Sequence, residues 1–230
     1  MKTIGLLGGM SWESTSTYYR LINQEINRRL GALHSAKLIL FSVDFNEIEA
    51  LQSSGDWRRA GEILGEGAKA LERAGADFVL ICTNTMHKVA PEIESGISVP
   101  LLHIADPTGS ALRAAGIRRV GLLGTRFTME EPFYREHLSR NYALDMITPP
   151  EQERDLVHRV IYDELCLGKL SDQSRDDYLG IMSRLQARGA EGVILGCTEI
   201  ALLVKPADTD VRLFDTTTLH ASGAVDAALA

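Results

Sequence analysis

Cysteine is scarce in this chain. Its 230 residues hold three, Cys82, Cys166 and Cys197. An odd, sparse set is a poor disulfide framework and suits a reducing compartment, so a cytoplasmic protein is expected. No CxxC or HExxH occurs and the six histidines lie apart, so no metal site is expected. Long apolar runs are missing too: nothing approaches the ~18 residues a membrane span requires. The opening MKTIGLLGGMSWEST turns polar too soon for a secretory signal. Positive charge is short, with 24 Lys and Arg against 31 Asp and Glu, a net charge of −7 and no dense basic cluster. That argues against a nucleic-acid surface but not against a small anionic ligand, because local donors decide that. The glycine loops LLGGM and LLGTRFT complete neither GxGxxG nor the Walker lysine. They read as close-approach turns, and no nucleotide cofactor is expected.

What the chain does have is alternation. Val-, Ile- and Leu-rich runs at 3–7, 37–43, 77–82, 99–104, 119–123, 192–196 and 211–214 read as strands. Amphipathic stretches at 14–30, 57–74, 150–166 and 171–188 read as helices. Continuous apolar strands separated by helices predict an α/β fold with parallel sheets covered on both faces.

The chain also repeats itself. IGLLG from Ile4 answers VGLLG from Val120, an offset of 116, and an aromatic pair with an arginine follows each: Tyr18, Tyr19, Arg20 and Phe133, Tyr134, Arg135. LERAGADFVLI answers LQARGAEGVIL at an offset of 114, and PLLHIADPT more weakly answers VRLFDTTT. The expected organisation is a duplicated lobe: residues 1–97 with 208–230 as the first, residues 98–207 as the second. Ligands of such sheets bind beyond the carboxyl ends of the strands, so the expected site is a cleft between the lobes.

The repeat assigns partners. Anchored on Gly75 and Gly189 and run forward without a gap, it sets Cys82 against Gly196, Thr83 against Cys197, Asn84 against Thr198 and Thr85 against Glu199. Pairing Cys82 with Cys197 needs an extra residue in a strand, which turns the side chain to the other face. Cys82 is therefore expected in its own lobe's core, as a small hydrophobe, and Cys166 reads as structural. Cys197 precedes TEIALL, and a thiol at a helix N-terminus is expected to have a lowered pKa. Asn84, Thr85 and Thr198, with main-chain donors, suit a carboxylate or a developing enolate. His87 either tunes the cleft or caps its own turn, and Glu199 either orients Cys197 or occupies a favourable first turn.

CTNTMH, GCTEI and IGLLGGMSWEST resemble the cofactor-independent aspartate/glutamate racemase family over essentially the whole chain. The resemblance implies two Rossmann-like lobes related by a pseudo-twofold axis, a small-molecule amino-acid substrate and frequent assembly as homodimers. It also implies two cysteines flanking the substrate α-carbon. The second maps onto Cys197; the first maps onto the residue before Asn-Thr, here Thr83, so this chain departs from the two-thiol pattern. Family substrate contacts carry over onto Met10, Gln52, Asn84, Thr85, Thr125, Thr198 and Glu199. Thr83 is a poor base but a usable proton donor, which predicts unequal kinetics in the two directions. Two other readings stay open: a single-cysteine relative that decarboxylates malonates or isomerises maleate, and a non-catalytic amino-acid binder. No arginine is clearly placed for a distal carboxylate; Arg126 is a candidate for that role or for a solvated charge.

Overall fold

The two glycine-ended repeats become the central strands of two separate sheets. The structure is a computed structural model describing residues 1–230. The chain divides into two compact units, Met1–Ile104 with His220–Ala230, and Ala105–Leu219.

In the first unit the order is β1 (Ile4–Gly8), α1 (Trp12–Leu30), β2 (Leu38–Ser42), α2 (Phe45–Ser54), α3 (Trp57–Arg73), β3 (Phe78–Ile81) and α4 (Ala90–Glu94). The strands form one parallel sheet in the order β2-β1-β3. Helix starts are written in side chains. Ser11 accepts from Ser14 N at α1, Asp44 from Asn46 N at α2, and Asp56 from Arg59 N at α3, each satisfying a donor that the helix itself leaves open. Alternation along β3 then splits the core. Val79 and Ile81 join Leu7 and Leu64 on one face, while Phe78, Leu80 and Cys82 join Leu6, Tyr18 and Ala221 on the other, as a period of two requires.

The second unit contains α5 (Ala105–Ala114), β4 (Arg119–Gly124), α6 (Arg126–Glu130), α7 (Pro132–Tyr142), β5 (Asp145–Ile147), α8 (Glu151–Asp163), α9 (Asp172–Ala187), β6 (Val193–Gly196), α10 (Ile200–Leu203) and β7 (Leu213–Asp215). Its parallel sheet runs β5-β4-β6-β7. The last helix, α11 (Thr216–Leu229), starts in this unit and contributes Ala221, Ala224, Val225 and Ala228 to the first unit's core.

Three expectations change here. The run 99–104 makes a single bridge, Val79 to Leu101, because the crossover reaches its helix at Ala105 after one contact. The strand β5, with only three residues and one buried side chain, was not anticipated from so short an apolar signal. The repeat places residues 208–219 in the first lobe, yet β7 pairs with β6 in the second sheet. The chain returns to the first unit only at His220, and it leaves that unit at Ile104 rather than at 97.

The register of the two sheets carries the repeat further than the letters do. Gly5, Leu6 and Leu7 pair with Val79, Leu80 and Ile81. Gly121, Leu122 and Leu123 pair with Val193, Ile194 and Leu195. Offsets of 116 in one strand and 114 in the other convert the first set of pairs into the second. Neither sheet contains an inserted residue, so Thr83 and Cys197 occupy equivalent positions, two residues past Ile81 and Leu195.

Candidate active-site residues

In the first unit the candidate residues gather at the carboxyl end of the sheet. Thr83, partly exposed, leaves β3, and Asn84 and Thr85 follow it, both buried, into a 3-10 turn over Thr85–Val89. Gln52 is buried in α2 and donates through Nε2 to Met86 Sδ at 2.9 Å. Met10 and Met86 belong to one core cluster. Cys82 is wholly buried, and burial pushes its thiol far above the ordinary range. Its N–H donates to Leu7 O and its carbonyl accepts from Ser14 Oγ, both at 2.9 Å. Cys82 is packed in its own unit's core, where the phase of the repeat puts it.

In the second unit Gly124 pairs with Gly196, so Thr125 and Cys197 are the first residues beyond neighbouring strand ends. The approach there is close: a Cβ on Gly196 would lie 2.8 Å from Leu122 Cδ1 and 2.9 Å from Leu123 O. Cys82 occupies the equivalent position in the first sheet, so the two units differ in what that position admits. Thr125 caps α6, accepting from Thr128 N at 3.3 Å. Cys197, Thr198 and Glu199 form one buried group. Cys197 Sγ donates to Glu199 Oε2 at 3.0 Å and Thr198 Oγ1 donates to the same oxygen at 2.5 Å.

The protonation of Cys197 runs against expectation. The pattern GCTEI suggested a thiol activated by a helix. Instead, burial first and the Glu199 carboxylate second push its pKa well up, with Cys166 adding to the effect. The reason is geometric. Helix α10 has only four residues, so its dipole is small, while desolvation and a carboxylate in contact both favour the neutral form. Cys166 lies in a 3-10 turn over Leu165–Leu167, and burial followed by Glu199 raises its thiol too. Tyr178, bonded to Val157 O at 2.9 Å, has its hydroxyl raised by burial first and by Cys197 second. Nothing in the sequence spacing announced Cys166 or Tyr178 as neighbours of this thiol, since folding alone brings residues so distant in sequence together.

Arg126 is committed locally: its Nη2 bonds Asp155 Oδ1 at 2.6 Å, both side chains half-exposed. Among His, Cys, Asp and Glu, no group of three or more is placed to hold a metal ion. No helix is long and apolar enough to cross a membrane.

The chain is 54% identical, over the whole of both chains and with a TM-score of 0.93, to a Yersinia pestis protein described provisionally as an Asp/Glu racemase. It is 34% identical, again over the whole of both chains and with a TM-score of 0.85, to an aspartate racemase homologue from Pyrococcus horikoshii. A broad specificity amino-acid racemase of Bacillus subtilis is 28% identical over 141 residues, a match spanning 60% of this chain and 61% of that protein. The family model described as Asp/Glu/Hydantoin racemase matches residues 7–224, and the chain belongs to that family.

Proposed function

We propose that the chain is a cofactor-independent racemase of aspartate, glutamate or a broader set of amino acids, with Cys197 and Thr83 as the two proton-handling residues. The observation that carries this reading is the Cys197–Glu199 hydrogen bond at 3.0 Å. A raised thiol needs a base to become a nucleophile for hydrogen, and a carboxylate already accepts from it. The family membership and the relatives' stated activities support the substrate class. The sequence resemblance adds the expectation of a cytoplasmic homodimer.

The proposed cycle balances. Glu199 takes the Cys197 proton. The thiolate removes the substrate α-proton, and the C–H electron pair passes into the adjoining carboxylate as an enolate. The Thr83 hydroxyl delivers a proton to the opposite face of the α-carbon. Thr83 recovers its proton from solvent and Glu199 releases one, so no proton is consumed. Main-chain donors at the two strand ends, with Asn84, Thr85 and Thr198, hold the carboxylate on which charge develops. Met10, Gln52 and Thr125 complete the substrate contacts. A hydroxyl is a much weaker base than a thiolate, so kcat and KM differ between enantiomers. Their kcat/KM values stay equal, because the free enantiomers have equal energy.

The test is α-proton exchange in D2O with each enantiomer of aspartate and glutamate, for the parent chain and for Cys197→Ala. Exchange that disappears in Cys197→Ala is expected. Absence of exchange from every amino acid sinks the proposal. The hydroxyl at position 83 also favours a second reading, a single-cysteine decarboxylase of malonates. Release of CO2 from a malonate without amino-acid exchange would establish that reading instead.

A further inference from the structure

Thr83 is held by a histidine. His87 is 2% exposed. The main-chain N–H of Ile104 donates to its Nε2 at 3.1 Å, and its Nδ1 lies 2.8 Å from the Thr83 carbonyl oxygen. An amide N–H can only donate, so Nε2 carries no proton, and Nδ1 bears it and donates to Thr83. An ordinary α-helix would satisfy that carbonyl with the His87 N–H. Here the turn is 3-10 and the His87 N–H goes to Asn84 O at 3.1 Å. The ring N–H replaces the main-chain bond that this tighter turn gives up.

The other end of the ring holds the crossover. Residues 102–104 are the last of the first unit before the chain passes into the second. A second histidine grips the same segment. His220 Nε2 lies 2.8 Å from Leu102 O, its Nδ1 is 2.8 Å from Tyr18 Oη, and it is the residue at which the chain re-enters the first unit. The rings of His87 and His103 are 4.4 Å apart, and those of His87 and His220 are 6.1 Å apart. Both points at which the chain changes units therefore belong to the histidine group that binds Thr83.

We propose that His87 is a positioning residue: it fixes the main chain of Thr83 to the crossover segment and so sets where the Thr83 hydroxyl stands when it returns a proton. The proposal rests on the racemase reading above. It concerns only the Thr83 face, which makes it separable. An enolate formed by Cys197 has two fates, return of hydrogen on the same face or inversion through Thr83. Misplacing Thr83 leaves the first and slows the second.

The experiment uses the full chain carrying His87→Asn or His87→Gln. Loss of the α-proton signal in D2O is followed together with inversion measured by chiral chromatography, and thermal melting confirms folding. The expected result is a fall in the ratio of inversion to exchange of roughly ten-fold or more in His87→Gln. A smaller fall is expected in His87→Asn, whose shorter amide still reaches the Thr83 carbonyl. A ratio unchanged in both folded variants, with both rates falling together, overturns the proposal. Ring nitrogen NMR of the parent chain tests the clamp without turnover: a proton on Nε2 of His87 overturns it. A parent chain that exchanges no α-proton refutes the racemase reading, and the catalytic meaning of the clamp with it, while a proton found on Nδ1 would still stand.

Discussion

Replacing Cys82 decides whether the chemistry belongs to Thr83 or to the cysteine beside it. Cys82 is fully buried beside Leu6, Tyr18, Phe78 and Leu80, and both of its main-chain groups are bonded. A side-chain change there acts through packing alone. Cys82→Ala removes one sulfur from a closed core and should cost about 1 kcal/mol. Cys82→Ser puts a hydroxyl among apolar side chains and should cost about 1–3 kcal/mol. For a chain of this size that corresponds to a melting temperature lowered by about 2–4 °C for Ala and up to about 12 °C for Ser. Exchange of the α-proton should stay within about twofold of the parent in Cys82→Ala. Iodoacetamide should leave Cys82 unmodified until the chain unfolds. A Cys82→Ala protein that melts normally and exchanges nothing would refute the register, and the first-unit proton donor would be Cys82.

Three other outcomes are expected. Glu199→Gln removes the carboxylate that raises Cys197, so its thiol should titrate at lower pH, read by alkylation rate or thiolate absorbance, while exchange falls; an upward shift would overturn the proposed pairing. Gly196→Ala forces a Cβ against a main-chain carbonyl at 2.9 Å and should destabilise by about 1–3 kcal/mol, with an unchanged melting temperature counting against the close approach. Glu25 has its pKa lowered to about 2 by hydrogen bonds from Arg28 and Arg29. Because the folded value lies below the unfolded one, its contribution is present at neutral pH and is lost as pH falls from the usual carboxylate range toward 2. Arg28 is largely solvated, so the effect is small. Glu25→Gln should lower the melting temperature by roughly a degree or two at pH 7 and match the parent near pH 2.

The register of the candidate residues was legible because it depends on phase. The offset of 114 between Gly75 and Gly189 put Thr83 opposite Cys197 in the repeat, and the sheet registers repeat that offset pair by pair. Alternation placed Cys82 on the face of β3 that Phe78 and Leu80 share, inside its own unit's core. Strand boundaries were less legible. The apolar run at 99–104 carries the letters of a strand but touches the sheet at one bridge, since the chain enters its helix at Ala105 soon after that contact. The strand Asp145–Ile147 is too short to leave a pattern. The division of 208–230 depended on which sheet accepted β7 and which core accepted α11.

The sequence by itself determined the α/β alternation, the duplication, the family and the equivalence of Thr83 and Cys197 in the two sheets, because each is a matter of order and period along the chain. The tertiary structure alone decided the protonation of Cys197 and the grip of His87 on Thr83. The pattern GCTEI predicted a thiol activated by its helix, and the fold supplied a helix of four residues, a desolvated pocket and a carboxylate at 3.0 Å. A pKa is set by the groups that folding gathers around an atom and by the water it removes, and neither is written at any one position of the chain.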